Sequence, residues 1–504
     1  MTSLLGIDIG TSSAKAVLFD PESAEIIAVA GHEYPVHKPA PDRAEQNPDD
    51  WWRAAQIVTR RVIQDSGRDD IAAISLSGQM HGVTLLDKKG KPAAPSIIWA
   101  DQRSAAQVER LIELIGEHTY THIAGTMPAA GFACATLLWL SEHEPALIRR
   151  ARHTVLPKDY VRFQMTGEIS TDVSDAAATG MFDVSLKMWS AEIVRGANLP
   201  RHLLPVVHES TAVTGTLTDS AAQALGLRAG IPVIAGCADQ PAQAIANGII
   251  DPGTTSVTVG SGGQVFTPVI PRMNGTTMLA TDPRLHVFNH AVPGTWYILG
   301  ATLSAGLSLR WLRGVTGLNG SSDAYATFSA EASAVSPGSD GLLFLPYLSG
   351  ERTPYMDAAA RGAFIGLTAF HERGHLARAV MEGVAFSLRQ ALEITRELGG
   401  ETDTVIAAGG AMESPVWRQI MADVLGLPLR RTGMREHAAL GAALLAGVGA
   451  GMFTSMDEAC ERAVRYGDVT DPQPDSQAIY DALYPQFQAL YPRLRDDFHA
   501  LSHR

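Results

Sequence analysis

Three apolar stretches at the start of the chain have the length and composition of β-strands. They cover residues 4–9, 14–19 and 25–30, and the turn at residues 10–13 separates the first two. A glycine-containing turn between two apolar runs is typical of a β-hairpin. A dinucleotide-binding fold or a P-loop would instead send such a turn into a helix. The pattern therefore disfavours both of those nucleotide folds.

The same pattern returns halfway along the chain. Residues 255–259 form an apolar run, residues 260–263 a Gly-rich turn, and residues 264–269 a second run. This repeat predicts an internal duplication in which each half carries one β-turn-β loop. The phosphates of a nucleotide could then lie between the two loops. Two unrelated hairpins are the alternative.

Further apolar runs predict strands elsewhere, and amphipathic stretches predict helices. The predicted strands cover residues 71–76, 83–86, 232–235, 296–299, 342–345 and 404–408. Apolar residues spaced three or four apart predict helices around 376–392 and 483–498. The uncharged run 438–453 is shorter than a membrane span and predicts a buried helix. Together these elements indicate an α/β chain with mixed sheets.

The length of the chain predicts two domains. Its 504 residues exceed the roughly 250–300 at which a single core stops growing. The Gly- and Pro-marked stretch 248–253 lies between the two repeats and is the predicted boundary. It divides the chain into domains of residues 1–247 and 248–504.

Charge and cysteine content exclude several classes of partner. The chain has 53 acidic and 40 basic residues and a net charge of −13, the wrong sign for a protein whose main partner is nucleic acid or an anionic membrane. Its three cysteines lie far apart, which favours neither a disulfide framework nor a zinc site. The first residues lack the basic segment of a secretory signal. We expect a cytoplasmic protein.

Asp8 is the first candidate for chemistry. It lies within an apolar run directly before Gly10, Thr11 and Ser12, where an acid is costly to bury unless it is paired or binds a cation. Backbone N–H groups and hydroxyls of the turn could bind phosphate while Asp8 holds Mg²⁺. An acid that only stabilises the turn is the alternative.

Asp239 is the second candidate. It closes the predicted strand 232–235 and its extension, and Gln240 and Pro241 follow it. Carboxylates at the carboxyl ends of strands are common in the active sites of α/β folds. An Asp before a proline is also a common N-cap of a helix. The residues alone leave both interpretations open.

Polar side chains follow two other predicted strands. Gln79, Met80 and His81 lie between two glycines after the strand 71–76, and Asp101 and Arg103 follow residues 97–99. These hydrogen-bonding groups suit a polyol better than an apolar ligand. A single histidine is nevertheless more often structural.

Two other patterns have weaker implications. Gly409, Gly410 and Ala411 follow a strand with small residues, which permits close approach by a flat ligand such as adenine; a plain strand-to-helix turn is the alternative. His286 and His290 are four residues apart, but they flank strand residues and lack an evident third ligand, which disfavours a metal site.

The chain resembles the FGGY family of carbohydrate kinases almost from end to end, and within it is most similar to kinases of D-xylulose. The resemblance rests on the order and spacing of several segments, at residues 6–12, 46–52, 79–82, 156–160, 350–355, 366–368, 378–383, 409–411, 417–419 and 422–424. It implies an actin-like ATPase fold, with two ribonuclease-H-like α/β domains whose mixed sheets flank a catalytic cleft. It also implies the transfer of phosphate from ATP to D-xylulose, with Mg²⁺, and favours a homodimer.

The resemblance assigns roles to the candidate residues. Asp239 corresponds to the general base that takes the proton of the sugar's C5 hydroxyl, and Asp8 would help to hold Mg²⁺. The implied sugar contacts are Gln79, Met80, His81, Asp101, Arg103 and Gln240. The implied nucleotide contacts are Gly10, Thr11, Ser12 and Lys15, Gly260, Ser261 and Gly262, and Gly409, Gly410 and Ala411. Phosphoryl transfer requires mainly alignment and charge stabilisation, which such a set supplies.

Other functions fit parts of the sequence. Gln240 after Asp239 resembles glycerol kinases, which keeps another ketose or polyol open as substrate, such as ribulose, erythritol or glycerol. An actin-like binding protein without turnover is an alternative of a different class. Retention of both Asp8 and Asp239 disfavours it.

Overall fold

The structure is a computed structural model that describes residues 2–271, 279–433 and 437–502. The strands of the first half are β1 (Ser3–Ile9), β2 (Ser13–Asp20), β3 (Glu25–Glu33), β4 (Glu45–Gln46), β5 (Ile71–Gly78), β6 (Thr84–Leu86), β7 (Ser96–Ile97), β8 (His153–Val155), β9 (Ser170–Asp172), β10 (Phe182–Asp183), β11 (Met188–Trp189), β12 (Val206–His208), β13 (Val213–Thr216), β14 (Pro232–Ile234) and β15 (Cys237–Ala238). The helices of that half are α1 (Pro48–Ser66), α2 (Ala105–Ile115), α3 (Glu117–Ala124), α4 (Ala133–His143), α5 (Pro145–Arg150), α6 (Pro157–Thr166), α7 (Val173–Ala178), α8 (Ala191–Gly196), α9 (Asp219–Leu225) and α10 (Asp239–Ala246).

The second half continues with the same mixture of elements. Its strands are β16 (Gly253–Val259), β17 (Gly263–Val269), β18 (His286–Asn289), β19 (Trp296–Thr302), β20 (Leu343–Leu345), β21 (Ala363–Ile365), β22 (Thr402–Ala408), β23 (Leu429–Thr432) and β24 (Tyr466–Thr470). Its helices are α11 (Gly306–Val315), α12 (Ala324–Ser333), α13 (Arg373–Glu397), α14 (Pro415–Leu425), α15 (His437–Gly449), α16 (Met456–Ala463) and α17 (Pro474–Ser502). The predicted strands and helices agree with these bounds to within a few residues, except that α13 and α17 extend further than their apolar spacing indicated.

Each half is built around one mixed sheet, and the two sheets have the same topology. The first runs β13-β14-β5-β1-β2-β3, with β1, β2 and β3 antiparallel and β5 parallel to β1. The second runs β18-β19-β17-β16-β22-β23-β24, with β16, β17 and β19 antiparallel and β22 parallel to β16. The predicted duplication is therefore confirmed. Each β-turn-β loop lies at the carboxyl end of the first strand of its sheet.

Helix α15 follows the second sheet along the chain but packs on the first. It contacts β1 and β5 and lies beside α10. Its apolar residues are buried, which confirms the predicted buried helix and explains why β1 is apolar on both faces. Gly6 permits this contact, because a side chain there would overlap the carbonyl oxygen of Ala439. The boundary after residue 247 stays a prediction, and α15 belongs spatially to the first sheet.

The two halves share a hydrophobic cluster behind the cleft. It joins Met80, Phe132 and Ala238 of the first half to Phe266 and Tyr297 of the second. Because these side chains are buried together, the cluster holds the two halves in contact. Within the described residues, no helix is long and apolar enough to cross a membrane.

Gly6→Ala should unfold much more easily than the wild type, because its Cβ would meet backbone of α15 that has no room to move. We expect a loss of at least about 3 kcal/mol in the free energy of unfolding, measured by urea denaturation. Gly31→Ala in β3 is the matched control, since the nearest atoms to its Cβ are 3.9 Å away. An equal effect of both substitutions would contradict this account of the packing.

Candidate active site

The first β-turn-β loop is braced from three sides. Between β1 and β2, the carbonyl oxygen of Gly10 accepts a hydrogen bond from the Tyr34 hydroxyl. The next carbonyl, of Thr11, accepts one from Gln46 Nε2 at 2.7 Å, and the Thr11 hydroxyl accepts one from Trp99 Nε1 at 2.9 Å. The carbonyl groups of Gly10 and Thr11 therefore accept hydrogen bonds from side chains outside the loop. Its backbone is held in one conformation, as a phosphate-binding loop requires.

Ser12 and Lys15 complete this hairpin. Ser12 has an exposed side chain, and its carbonyl oxygen accepts a hydrogen bond from the backbone of Tyr34 at 3.1 Å. Lys15 lies opposite Asp8 in the antiparallel register of β1 and β2. A nucleotide contact by either side chain stays a prediction.

The second loop is braced by the start of α11. Gly260 O accepts from the N–H of Gly306 at 2.8 Å, and Ser261 O accepts from the N–H of Ala305 at 2.9 Å. Arg310 of the same helix donates to Ser261 Oγ at 3.4 Å. The second loop therefore has one hydroxyl with a cation beside it.

Gly262 ends the loop where only glycine fits. A Cβ atom at this position would lie 2.6 Å from the carbonyl oxygen of Thr302. The close approach of β19 therefore explains why glycine stands at this position. A serine or threonine, which would add a second hydroxyl to this loop, therefore does not fit at position 262.

A cavity of 780 Å³ lies next to the second loop, and Gly260, Gly410, Ala411 and Trp417 are among the residues that line it. Gly409, at its edge, has φ +90°, and a Cβ there would lie 2.5 Å from the carbonyl oxygen of Val259. At Gly410 nothing lies within 4 Å of a Cβ. Small residues thus open a flat apolar space, as the prediction of an adenine site requires.

Asp8 and Asp239 face each other across the ends of neighbouring strands. In the parallel registers, β5 pairs with β1 through Ser77 and Asp8 and with β15 through Ser77 and Cys237. The Ser77 hydroxyl donates to Asp8 Oδ1 at 2.8 Å. Removal from water, and then the charge of Asp8, raise the pKa of Asp239 to about 7.

Asp239 is not the N-cap residue of α10. Ala238 is the N-cap of α10, and Asp239 is the first residue of the helix. Asp8 likewise lies within β1 and not in the turn that follows. A carboxyl group with a pKa near 7 is suited to accept a proton at neutral pH.

His81 is a neutral hydrogen-bond acceptor at the end of β5. Its Nδ1 lies 2.6 Å from the carbonyl oxygen of Ala178, and a carbonyl can only accept, so Nδ1 carries the proton and Nε2 has a lone pair. The imidazole stacks on Phe132 with 3.9 Å between ring centres. Burial, together with the charge of Arg352, lowers the pKa of His81 to about 4.

The other two residues of this segment point inward. Met80 is buried in the hydrophobic cluster that joins the two halves. Gln79 is buried, and its Nε2 donates to Gln46 Oε1 at 2.8 Å and to the carbonyl oxygen of Gly10 at 3.3 Å. Gln79 therefore links the segment that carries His81 to the first loop.

His286 and Arg352 come from the second half and lie near His81. His286 Nδ1 is 2.7 Å from the hydroxyl of Thr126, and its ring centre is 6.1 Å from that of Phe132. Burial, and then the charges of Arg352 and His81, lower the pKa of His286 to about 3. Neither residue was among the sugar contacts predicted from the sequence, although Arg352 lies in a segment that carries the family resemblance.

Asp101 and Arg103 bind each other. Asp101 is buried, accepts from the N–H of Ala44 at 2.7 Å and from Arg103 Nε at 2.8 Å, and Arg103 also bonds to Glu45. Arg103 lines a different cavity, beside Trp139. These bonds give both side chains a structural role, and their contact with a sugar stays a prediction.

Gln240 faces a second, polar cavity between the halves. The cavity has a volume of 360 Å³ and is also lined by Gln243, Asn247, Thr258 and Gln264. Gln240 thus lies between the two sheets, behind Asp239. Its contact with a sugar also stays a prediction.

Comparisons with known proteins agree with this geometry. Two family models match the chain, the N-terminal domain of the FGGY family of carbohydrate kinases over residues 3–246 and the C-terminal domain over residues 266–450. The xylulose kinase of Lactococcus lactis subsp. lactis is 36% identical over 508 aligned positions, which cover 99% of each chain. The gluconokinase of Bacillus subtilis is 32% identical over 509 positions, 99% of this chain and 97% of that one. The crystal structure of xylulose kinase from Rhodospirillum rubrum has a TM-score of 0.92 and 32% identity, covering 99% of this chain and 100% of that one.

Asp239→Asn should stabilise the protein at neutral and alkaline pH when nucleotide and metal are removed. Because the folded pKa of about 7 exceeds the unfolded value of about 3.9, the wild type loses stability as pH rises from about 4 to 7. The variant does not, and the difference should reach about 2 to 4 kcal/mol above pH 7.

Melting midpoints between pH 4 and 8 measure this difference. Asp101→Asn is the control of opposite sign, because its carboxylate is paired with Arg103 and its loss should destabilise at every pH in this range. A difference between Asp239→Asn and the wild type that does not change with pH would contradict the raised pKa.

Proposed function

The chain belongs to the FGGY family of carbohydrate kinases, and we propose that the sugar it phosphorylates with ATP is D-xylulose, which becomes D-xylulose 5-phosphate. The enzyme is thus a carbohydrate kinase with the actin-like ATPase fold of that family. The observation that carries the proposal for the sugar is the similarity over almost the full length to xylulose kinases. The neutral acceptor Nε2 of His81 near the strand end of Asp239 suits an uncharged polyol.

Asp239 is the proposed general base. Its carboxylate takes the proton of the C5 hydroxyl as that oxygen bonds to the γ-phosphorus of ATP, and the bond from this phosphorus to the bridging oxygen of ADP breaks. With a pKa of about 7, the carboxylate is ionised in a useful fraction of molecules at neutral pH and still basic enough to take the proton. The reaction otherwise depends on alignment.

The two loops are the proposed phosphate sites. The phosphates would lie between residues 10–12 and 260–262, and the adenosine would occupy the 780 Å³ cavity beside Gly410 and Ala411. Both loops are held by hydrogen bonds to their own carbonyl groups, and fixed turns of this kind can bind phosphate.

The carboxylate of Asp8 fits Mg²⁺. It supplies a hard oxygen ligand near the first loop, and Mg²⁺ commonly takes one or two carboxylates together with phosphate oxygens. Among the described residues there is no cluster of three or more acidic, His or Cys ligands that would form a complete protein cage. Asp8 would hold the ion, whose charge neutralises the phosphates.

Gluconate is the second candidate substrate because of Arg352. Its guanidinium lies near His81 and His286. A cation at this position could bind the carboxylate of a sugar acid. A relative named gluconokinase has 32% identity to this chain. A cytoplasmic location and a homodimer stay predictions.

The substrate is tested by ADP release with Mg-ATP and D-xylulose, gluconate, D- and L-ribulose, erythritol, glycerol or no sugar. We expect kcat/KM for D-xylulose to exceed every other value by at least about tenfold. A preference for gluconate that is lost in Arg352→Ala would favour the second candidate. Preference for another polyol would exclude D-xylulose while leaving the family unchanged.

The base is tested with Asp239→Asn. We expect sugar-dependent turnover to fall by about a thousandfold or more, because no other described carboxylate besides Asp8 lies at these strand ends. The Kd of ATP, measured by calorimetry, should stay within about threefold, since the base acts on the sugar. The wild-type kcat/KM should fall below a midpoint near the pKa of about 7. Substantial turnover by the variant would exclude this role.

A further inference from the structure

Helix α7 contacts the active site at both of its ends. In its first turn, Ser174 Oγ accepts the backbone N–H of Ala238 at 3.0 Å, and Ala238 directly precedes Asp239. At its last residue, the carbonyl oxygen of Ala178 accepts the Nδ1 proton of His81 at 2.6 Å. A single helix of 6 residues therefore sets the distance between the proposed base and the proposed sugar contact.

The hydroxyl of Ser174 has only one orientation available. It donates to Asp172 Oδ2 at 2.6 Å, so its lone pairs are left to accept from Ala238. The same oxygen of Asp172 accepts from the Ser210 hydroxyl at 2.7 Å. Lys158 Nζ lies 2.9 Å from Asp172 Oδ1. All four of the polar side chains are fully or almost fully buried, so water does not compete for these bonds.

Lys158 anchors this network beneath the strand ends. It lies 2.7 Å from Asp159, 2.9 Å from Asp172 and 3.1 Å from Asp175, and all four side chains are buried. Burial lowers the pKa of Lys158, but these carboxylates outweigh burial and raise it, so the ammonium keeps its charge. Lys158 also packs against Gly78, the last residue of β5. A Cβ atom placed on Gly78 would lie 3.1 Å from the Cβ of Lys158. The cluster thus lies directly below the segment that carries His81.

A buried charged cluster contributes little to the net stability of a protein. Desolvation of the ions offsets much of their attraction, and an apolar replacement of similar volume is often as stable. The groups in this cluster bond to α7 and to the residue before Asp239, and Lys158 packs beside the last residue of β5. Fixed geometry at the site accounts for their arrangement better than stability does.

We propose that Ser174 is a positioning residue for phosphoryl transfer: its hydroxyl, oriented by Asp172 and Lys158, holds Ala238 and thereby fixes the carboxylate of Asp239 relative to the sugar. The inference rests on the proposed role of Asp239 as base. Ser174 acts through the backbone and does not touch the sugar. Small displacements of a reacting group can reduce turnover by as much as about a hundredfold.

Ser174→Ala and Ser210→Ala form a matched pair for the test. Each removes one buried hydroxyl that donates to the same oxygen of Asp172, so both should lower the melting midpoint, and Ser174→Ala should lower it further. Only Ser174→Ala also removes the acceptor of the Ala238 N–H. We expect its kcat to fall by about tenfold or more, with the KM of ATP within about twofold. Ser210→Ala should retain kcat within about twofold.

Both variants are assayed well below their own melting midpoints. Ser174→Thr retains the hydroxyl and should keep kcat within about threefold. Equal kcat values for the two alanine variants, or a folded Ser174→Thr as slow as Ser174→Ala, would overturn the proposal.

Asp239→Asn separates this inference from the proposal of the base. If that variant is inactive and the two serine variants behave alike, Asp239 is the base and Ser174 does not position it. If Asp239→Asn turns over the sugar normally, the role of the base itself is wrong. In that case a slow Ser174→Ala variant would have to act through His81.

Discussion

Two carboxylates near the end of β5 are the constraint on which the site depends. Asp8 lies in β1 and Asp239 directly follows β15, two strands that both pair with β5, and the charge of Asp8 contributes to the raised pKa of Asp239. Like charges in one site are stable only when one group keeps a proton or a cation binds. The same electrostatic condition therefore raises the pKa of Asp239 and favours the binding of a cation beside these carboxylates.

Rigid backbone around these carboxylates serves alignment, which phosphoryl transfer requires more than covalent chemistry. The first loop is fixed by Tyr34, Gln46 and Trp99, and the second by the start of α11. The halves meet behind the cleft through a shared hydrophobic cluster. Closure of such a cleft would exclude water, which otherwise competes with the sugar as phosphate acceptor.

Sequence patterns predicted the two hairpins because apolar strands and a glycine turn are local signals. The same holds for the buried run that forms α15, whose lack of charge is visible in the sequence. The surface against which α15 packs had no such signal. That contact depends on Gly6 and on a segment more than four hundred residues later. Similarly, the sequence presents Asp101 and Arg103 as candidate ligand-binding groups, and only the fold shows that they bind each other.

What the sequence by itself determined is the set of chemically capable residues. Asp8, Asp239, the segment with His81 and the glycines at 409 and 410 are all visible as polar or small residues after apolar runs. Tertiary structure alone decided their environment: the pKa of Asp239, the tautomer of His81, and the approach of His286 and Arg352 from the other half. The physical reason is that strand ends and turns are local properties of the chain, whereas desolvation and the field of a neighbouring charge depend on distances in space between residues far apart in sequence.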